Sequence, residues 1–143
     1  MTYDSYSQVD TERVGYLHGL KAKAGDVFCL IGDLGTGKTA FARGFARGVD
    51  ITDDITSPTF AIVNQYTSGR LVMHHFDVYR IRDISEMEDT GYEDCFFGAG
   101  VCLVEWADII RPVWPQNRII VRLERLVANG EDYRRITVER GGQ

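Results

Sequence analysis

The chain has 143 residues, 44% hydrophobic and 26% charged, with a formal net charge of −5. That length and balance predict one globular domain, residues 1–143, with a substantial buried core. The negative charge, without a block of like charges, argues against a protein that grips nucleic acid unaided, and no apolar run approaches the roughly 20 residues that span a bilayer.

The N-terminal stretch "MTYDSYSQVD" is polar and acidic and lacks the basic and apolar regions of a secretory signal, so a cytoplasmic protein is expected. "VDTERVGYLHGLKAKAG" (9–25) predicts a first helix. Asp10 is its expected N-cap, Val9 and Val14 are spaced as a hydrophobic staple, and Gly25 marks its stop. Val14, Leu17 and Leu20 recur at helical spacing as its inward stripe. "DVFCLI" (26–31) is a short apolar run of strand length. It leads through a glycine-rich loop into a second helix whose inward residues are Phe41, Ala42, Phe45, Ala46 and Val49. Gly44 lies inside that helix, where glycine costs about 1 kcal/mol relative to alanine; close approach of helix to sheet would account for it.

Further on, "TFAIVNQY" (59–66) and "LVMHHFDVY" (71–79) flank "TSGR" and predict a hairpin. "ISEMEDTGY" predicts a short helix, "VCLVEW" (101–106) a buried strand, and "NRIIVRLER" and "RRITVER" half-exposed strands. Cys29, Cys95 and Cys102 have no CxxC spacing and are expected to be reduced thiols. The element order is that of a single α/β domain with a mixed central sheet flanked by helices, and the glycine-rich loop makes it a P-loop NTPase fold.

The chemistry begins with "GDLGTGKT" (32–39), in which Gly32, Gly37, Lys38 and Thr39 complete G-x-x-x-x-G-K-[ST]. Glycines let the backbone curl so that successive N–H groups form an anion nest, and the following helix aims its positive end at the same place. In this pattern the lysine reaches the β- and γ-phosphates of a nucleotide and the hydroxyl binds Mg²⁺. The whole loop is the expected nucleotide contact: Gly32, Asp33, Leu34, Gly35, Thr36, Gly37, Lys38, Thr39 and Ala40.

Asp77 in "HHFDVYR" and Glu105 in "VCLVEW" each close an apolar strand, where such sites keep the carboxylates that hold hydrated Mg²⁺ or orient the attacking water. Four apolar residues ending in Glu105 fit that pattern better than Asp77, which two histidines precede. Pattern alone leaves open which of the two takes the metal. His74 and His75 point to opposite faces of one strand, cannot share a metal site there, and are expected to be structural. The guanine motifs N-K-x-D and D-x-x-G are absent. The 20 residues from Ile81 to Gly100 hold a single arginine, Arg82, and six Asp or Glu, a poor lid for an anionic phosphoryl acceptor.

"GDLGTGKT", "SPTF", "HHFDVYR", "GYEDCF" and "CLVEWAD", in this order and spacing, resemble the TsaE (YjeE) family of small bacterial P-loop ATPases, over nearly the whole chain. The resemblance implies weak ATPase activity alone. It also implies work beside the TsaD and TsaB proteins in forming N6-threonylcarbamoyladenosine at position 37 of tRNAs that read codons beginning with A, with tRNA met only through the complex. It matches Lys38 and Thr39 to phosphate and Mg²⁺ contacts and Thr59 to a switch-like threonine. Asp77 and Glu105 match the acidic metal and water-orienting positions, and Trp106 the tryptophan that follows. Catalysis is thus expected of Glu105, Asp77 and Lys38, and metal binding of Thr39, Asp77 and Glu105. Many members carry a second threonine where this chain has Ala40, and an aromatic residue is frequent where it has Cys95. A small-molecule kinase and a nucleotide-dependent regulatory module are the competing readings.

Overall fold

The computed structural model describes residues 1–33, 35–56, 58 and 62–141. The strands are β1 (Thr2–Ser5), β2 (Val27–Ile31), β3 (Val63–Tyr66), β4 (Met73–Asp77), β5 (Val101–Glu105), β6 (Arg118–Arg125) and β7 (Arg134–Arg140). They form one sheet in the order β1-β7-β6-β2-β5-β4-β3. The centre is parallel, with β2 between β5 and β6 and β4 beside β5. The edges are antiparallel, through β3–β4, β6–β7 and β1–β7.

Side chains alternate across this sheet and feed two cores. Phe28, Leu30, Met73, Leu103 and Val121 face α2 (Lys38–Gly48), where Phe41, Ala42, Phe45 and Ala46 are buried together with Val49 just past the helix end, as their spacing predicts. Cys29, Phe76, Cys102 and Val104 face the opposite layer of α3 (Tyr92–Phe96) and two 3₁₀ segments, Ile84–Thr90 and Ala107–Val113. Cys29 and Cys102 are buried free thiols and Cys95 is partly exposed; burial pushes the Cys29 thiol up to about 12.

Helix α1 (Gln8–Lys21) departs from its sequence pattern in three ways. Its N-cap is Ser7, whose hydroxyl accepts from the Asp10 N–H, so Asp10 sits inside the first turn. The helix ends at Lys21, with Ala22 as C-cap, before Gly25 is reached. Its buried face is Thr11, Val14, Gly15, His18 and Gly19, whereas Val9, Leu17 and Leu20 are exposed, so neither the staple nor the leucine stripe forms.

The reason is a backbone-to-backbone contact with α2. A Cβ on Gly15 would overlap the Phe41 carbonyl, one on Gly19 the Phe45 carbonyl, one on Gly44 the Glu12 carbonyl and one on Gly48 the Tyr16 carbonyl. The separation of two helices is set by the side chains at their contact, and here hydrogens stand in for them. Gly44 therefore answers to helix–helix approach, not to the helix–sheet approach that its position suggests. Arg70 closes the far end of α1 by donating to the Gly19, Leu20 and Ala22 carbonyls, the first of which also accepts from the Ala22 N–H.

The polar segment Thr2–Ser5 was not legible as a strand. It pairs antiparallel with β7 and is pinned by Tyr3, whose hydroxyl meets His18 Nε2 at 2.9 Å, and by Asp4, which accepts from the Tyr133 hydroxyl.

Helix propensity and packing give opposite signs for Gly44→Ala. Propensity alone predicts a gain of about 1 kcal/mol. The overlap with Glu12 predicts a loss of about 3 kcal/mol or more, and a thermal melt of the variant should show a lower Tm.

Candidate functional site

The loop between β2 and α2 needs its glycines for different reasons. Gly35 and Gly37 sit at φ +76° and +100°, backbone that L side chains rarely adopt. A Cβ on Gly32 would lie 2.7 Å from the Leu123 carbonyl oxygen and 2.6 Å from the Thr36 hydroxyl, so β6 and the loop itself close around this position. The loop is held from both sides. Thr36 Oγ1 donates to the Asp33 carbonyl at 2.8 Å, and Arg134 of β7 donates through Nη2 to the Gly35 carbonyl at 2.9 Å.

Lys38 opens α2 and is buried. Its ammonium donates to the Gly32 and Asp33 carbonyls and lies 3.9 Å from the centre of the Trp106 ring, a cation–π contact. Burial pulls the Lys38 ammonium below the usual lysine range; Glu105, Asp33, Asp108 and Asp77 act against that pull. One buried cation thus faces four carboxylates.

Asp77 and Glu105 are the last residues of the neighbouring parallel strands β4 and β5 and are direct register partners. Parallel register brings together two residues 28 positions apart, which sequence spacing could not show. Asp77 Oδ1 accepts from the Tyr79 N–H at 3.0 Å. Burial pushes the Asp77 carboxyl above the usual carboxylate range and the like charge of Glu105 adds to this, against the Tyr79 N–H, His75 and Lys38. Glu105 is only 3% exposed, and its Oε2 meets Nε2 of the fully buried His75 at 2.6 Å. Trp106 follows at φ +61°, an uncommon conformation for a bulky residue, and its ring lies 4.7 Å from that of Tyr79.

These groups border one cleft of 610 Å³. Of the residues expected at the site, Gly35, Gly37, Lys38, Thr39, Ala40, Asp77, Glu105 and Trp106 line it. Gly32, Asp33 and Thr36 instead line a second cleft of 590 Å³ on the other side of the loop, with Arg122 to Val127 and again Trp106. Leu34 and Thr59 lie outside the described residues. The first cleft is completed by Ser7, Gln8 and Thr11 from the start of α1, Arg43 from α2, and Asp132 and Arg134 from the β6–β7 connection and β7. None of these six carries a sequence signal: pairing of β1 with β7 brings the five from the two ends of the chain together, and Arg43 is one more surface cation of α2 until the cleft is seen. His75 was read as structural; its two-residue offset from Asp77 was the available clue.

Among the described residues no group of three His, Cys, Asp or Glu could hold a metal by itself. The donors present are hard oxygens, the Thr39 hydroxyl and two carboxylates on one cleft. That set fits Mg²⁺, which binds through one or two protein ligands plus phosphate and water oxygens.

The family model "Threonylcarbamoyl adenosine biosynthesis protein TsaE" matches residues 5–136. The chain belongs to the TsaE family. Among its relatives is the tRNA threonylcarbamoyladenosine biosynthesis protein TsaE of Bacillus subtilis, 47% identical over 90% of this chain and 78% of the relative. The TsaE of Treponema pallidum is 40% identical over 94% of this chain and 96% of its own. The crystal structure of YdiB from Bacillus subtilis superposes with a TM-score of 0.80 at 36% identity, covering all of this chain and 86% of the other. The P-loop, both strand-end acids and Trp106 fall inside the matched span of this TsaE-family chain. Among the described residues no helix is long and apolar enough to cross a membrane.

The direction of the Asp77 shift has a measurable consequence. A carboxyl raised in the folded state opposes folding once ionised, so this cost develops as pH rises from the usual carboxylate range through the raised value. Asn keeps the oxygen that accepts from Tyr79 and carries no charge. Asp77→Asn should therefore melt higher than the parent at neutral pH in nucleotide-free, metal-free buffer, and the difference should vanish below about pH 3.5.

Proposed function

We propose that this TsaE-family protein binds ATP with Mg²⁺ in the 610 Å³ cleft and hydrolyses it. The TsaE family acts in tRNA threonylcarbamoyladenosine biosynthesis. Within that pathway we assign the chain the part of nucleotide-driven subunit: hydrolysis drives conformational turnover of TsaD and TsaB partners, which meet the tRNA, in the cytoplasm. The observation that carries the reading is the convergence of Lys38, Asp77 and Glu105 at the mouth of a glycine-shaped loop.

The chemistry follows from what each group can do. Lys38 exchanges its loop carbonyls for β- and γ-phosphate oxygens, and the positive end of α2 lies against the same charge. A Mg²⁺ ion held by the Thr39 hydroxyl, the phosphates and one of the two carboxylates would neutralise charge on the transferred phosphoryl group. Glu105, the more buried acid, accepts a hydrogen bond from the attacking water. That water adds to the γ-phosphorus as its proton passes to Glu105, the bond to the β–γ bridging oxygen breaks, and ADP and phosphate leave while the proton is returned to phosphate or solvent. Trp106 shields Lys38 and borders both clefts, so the phosphate side and the outer face beyond the loop share one residue. A partner seated on that outer face would read the state of the loop. The chain's own net charge of −5 supports tRNA contact through partners over direct grip.

Two substitutions separate binding from turnover. Lys38→Ala should weaken ATP binding roughly 10–100-fold, measured with a fluorescent nucleotide. Glu105→Gln should keep the affinity and lower phosphate release by about 100-fold or more, with or without added TsaD and TsaB. Glu105→Gln hydrolysing at the parent rate would sink the reading. If that variant fails to hydrolyse yet still supports tRNA modification, the chain is a nucleotide-dependent regulatory module.

A further inference from the structure

We infer that His75 is a positioning residue for Glu105, fixing which carboxylate oxygen of that acid is left for the cleft. The inference rests on the hydrolytic reading of Glu105 given above. His75 lies in β4, opposite Leu103 of β5 and therefore two pairs below Asp77 and Glu105. Its side chain emerges on the same face as those of both acids, since residues two apart on a strand share a face. The ring is fully buried and its Nε2 is 2.6 Å from Glu105 Oε2. Its other nitrogen, Nδ1, is also buried and has no hydrogen-bond partner among the described residues.

That orphaned nitrogen assigns the tautomer. An N–H buried without an acceptor is the rarer and costlier orphan, so the ring proton belongs on Nε2. Nε2–H then donates to Oε2, and Nδ1 keeps only a lone pair. A leucine or methionine would occupy this core position without leaving any nitrogen unpaired. What the imidazole supplies in exchange is one donor aimed at one oxygen.

The consequence for the site is geometric. A glutamate at a strand end has three rotatable bonds, and the donor from β4 ties it down from beneath the cleft floor. Oε2 is committed to the protein, and Oε1 becomes the oxygen that accepts from water. Holding a base within hydrogen-bond reach of its proton is the condition for general-base catalysis. His75 itself touches neither nucleotide nor water; it acts through Glu105, as partners behind ligating or catalytic groups do.

The first test is on the unmodified protein without nucleotide or metal. Long-range ¹H–¹⁵N NMR of histidine-labelled protein should show His75 protonated at Nε2; protonation at Nδ1 overturns the proposal. The second test is kinetic, under single turnover with enzyme in excess. His75→Leu should lower the hydrolysis rate roughly 10–100-fold. Its nucleotide affinity should stay within about threefold of the parent, because the lost interaction bears on the transition state. His75→Gln, whose amide can still donate, should recover part of the rate and serves if the leucine variant does not fold.

In the Glu105→Gln background His75→Leu should cost nothing further, since both act as a unit. An unchanged rate in both His75 variants, or additive losses in the double variant, overturns the positioning role alone. Parent-level hydrolysis by Glu105→Gln removes the reading beneath the proposal, and the proposal with it.

Discussion

The position of everything in the first cleft depends on two helices lying backbone against backbone. Gly15 and Gly19 of α1 meet Gly44 and Gly48 of α2 with no room for a methyl group at any of the four. That contact sets where α1 begins, and its first turn carries Ser7, Gln8 and Thr11 to the cleft wall. It also lays the Thr11 methyl 3.3 Å from where a Cβ on Gly37 would stand, so the glycine-rich loop is braced by α1 as well as by the sheet. A bulkier seam would push the first helix outward and open the wall. Glycine is the worst residue but proline for a helix interior, and the fold accepts that cost at Gly15, Gly19 and Gly44 for proximity.

Beneath the loop the constraint is electrostatic. Lys38 is withdrawn from water among Asp33, Asp77, Glu105 and Asp108, and it is satisfied by its own loop carbonyls and the face of Trp106. These contacts are of the kind a phosphate displaces without reorganising the scaffold. The two strand-end acids stay side by side because one is tied to Tyr79 and the other to His75. Burial and mutual repulsion raise Asp77, against the pull of Lys38 and His75. Preorganised charge of this sort destabilises the free protein and serves the bound one.

The topology explains why so small a chain closes a cleft at all. The parallel centre delivers the P-loop, Asp77 and Glu105 together, at the C-terminal ends of the strands β2, β4 and β5. The antiparallel β1–β7–β6 edge then brings the end of β1 and the start of β7 to that region, and Arg134 reaches the Gly35 carbonyl from 99 residues away. Trp106, in its strained turn directly after Glu105, borders both the first cleft and the second cleft beyond the loop. Any partner that seats on the second cleft is in contact with residues of the first.

Local chemistry was legible because it is written at short range. G-x-x-x-x-G-K-T needs only eight consecutive residues, the stripe of α2 only its own period, and the acids Asp77 and Glu105 only the apolar strands that they close. The α1 stripe misled because periodicity marks apolar residues and cannot report that a neighbour's backbone occupies the opposite face. β1 escaped because four polar residues become a strand only when β7 offers them partners. The sequence by itself determined the phosphate loop, the strand-end acids, the α/β class and the family. Only the tertiary structure decided that α1 is buried by its glycines, that Ser7, Gln8, Arg43, Asp132 and Arg134 join the cleft, and that His75 grips Glu105. Each of these depends on distance between residues far apart in the chain, and distance is what packing, not spacing, sets.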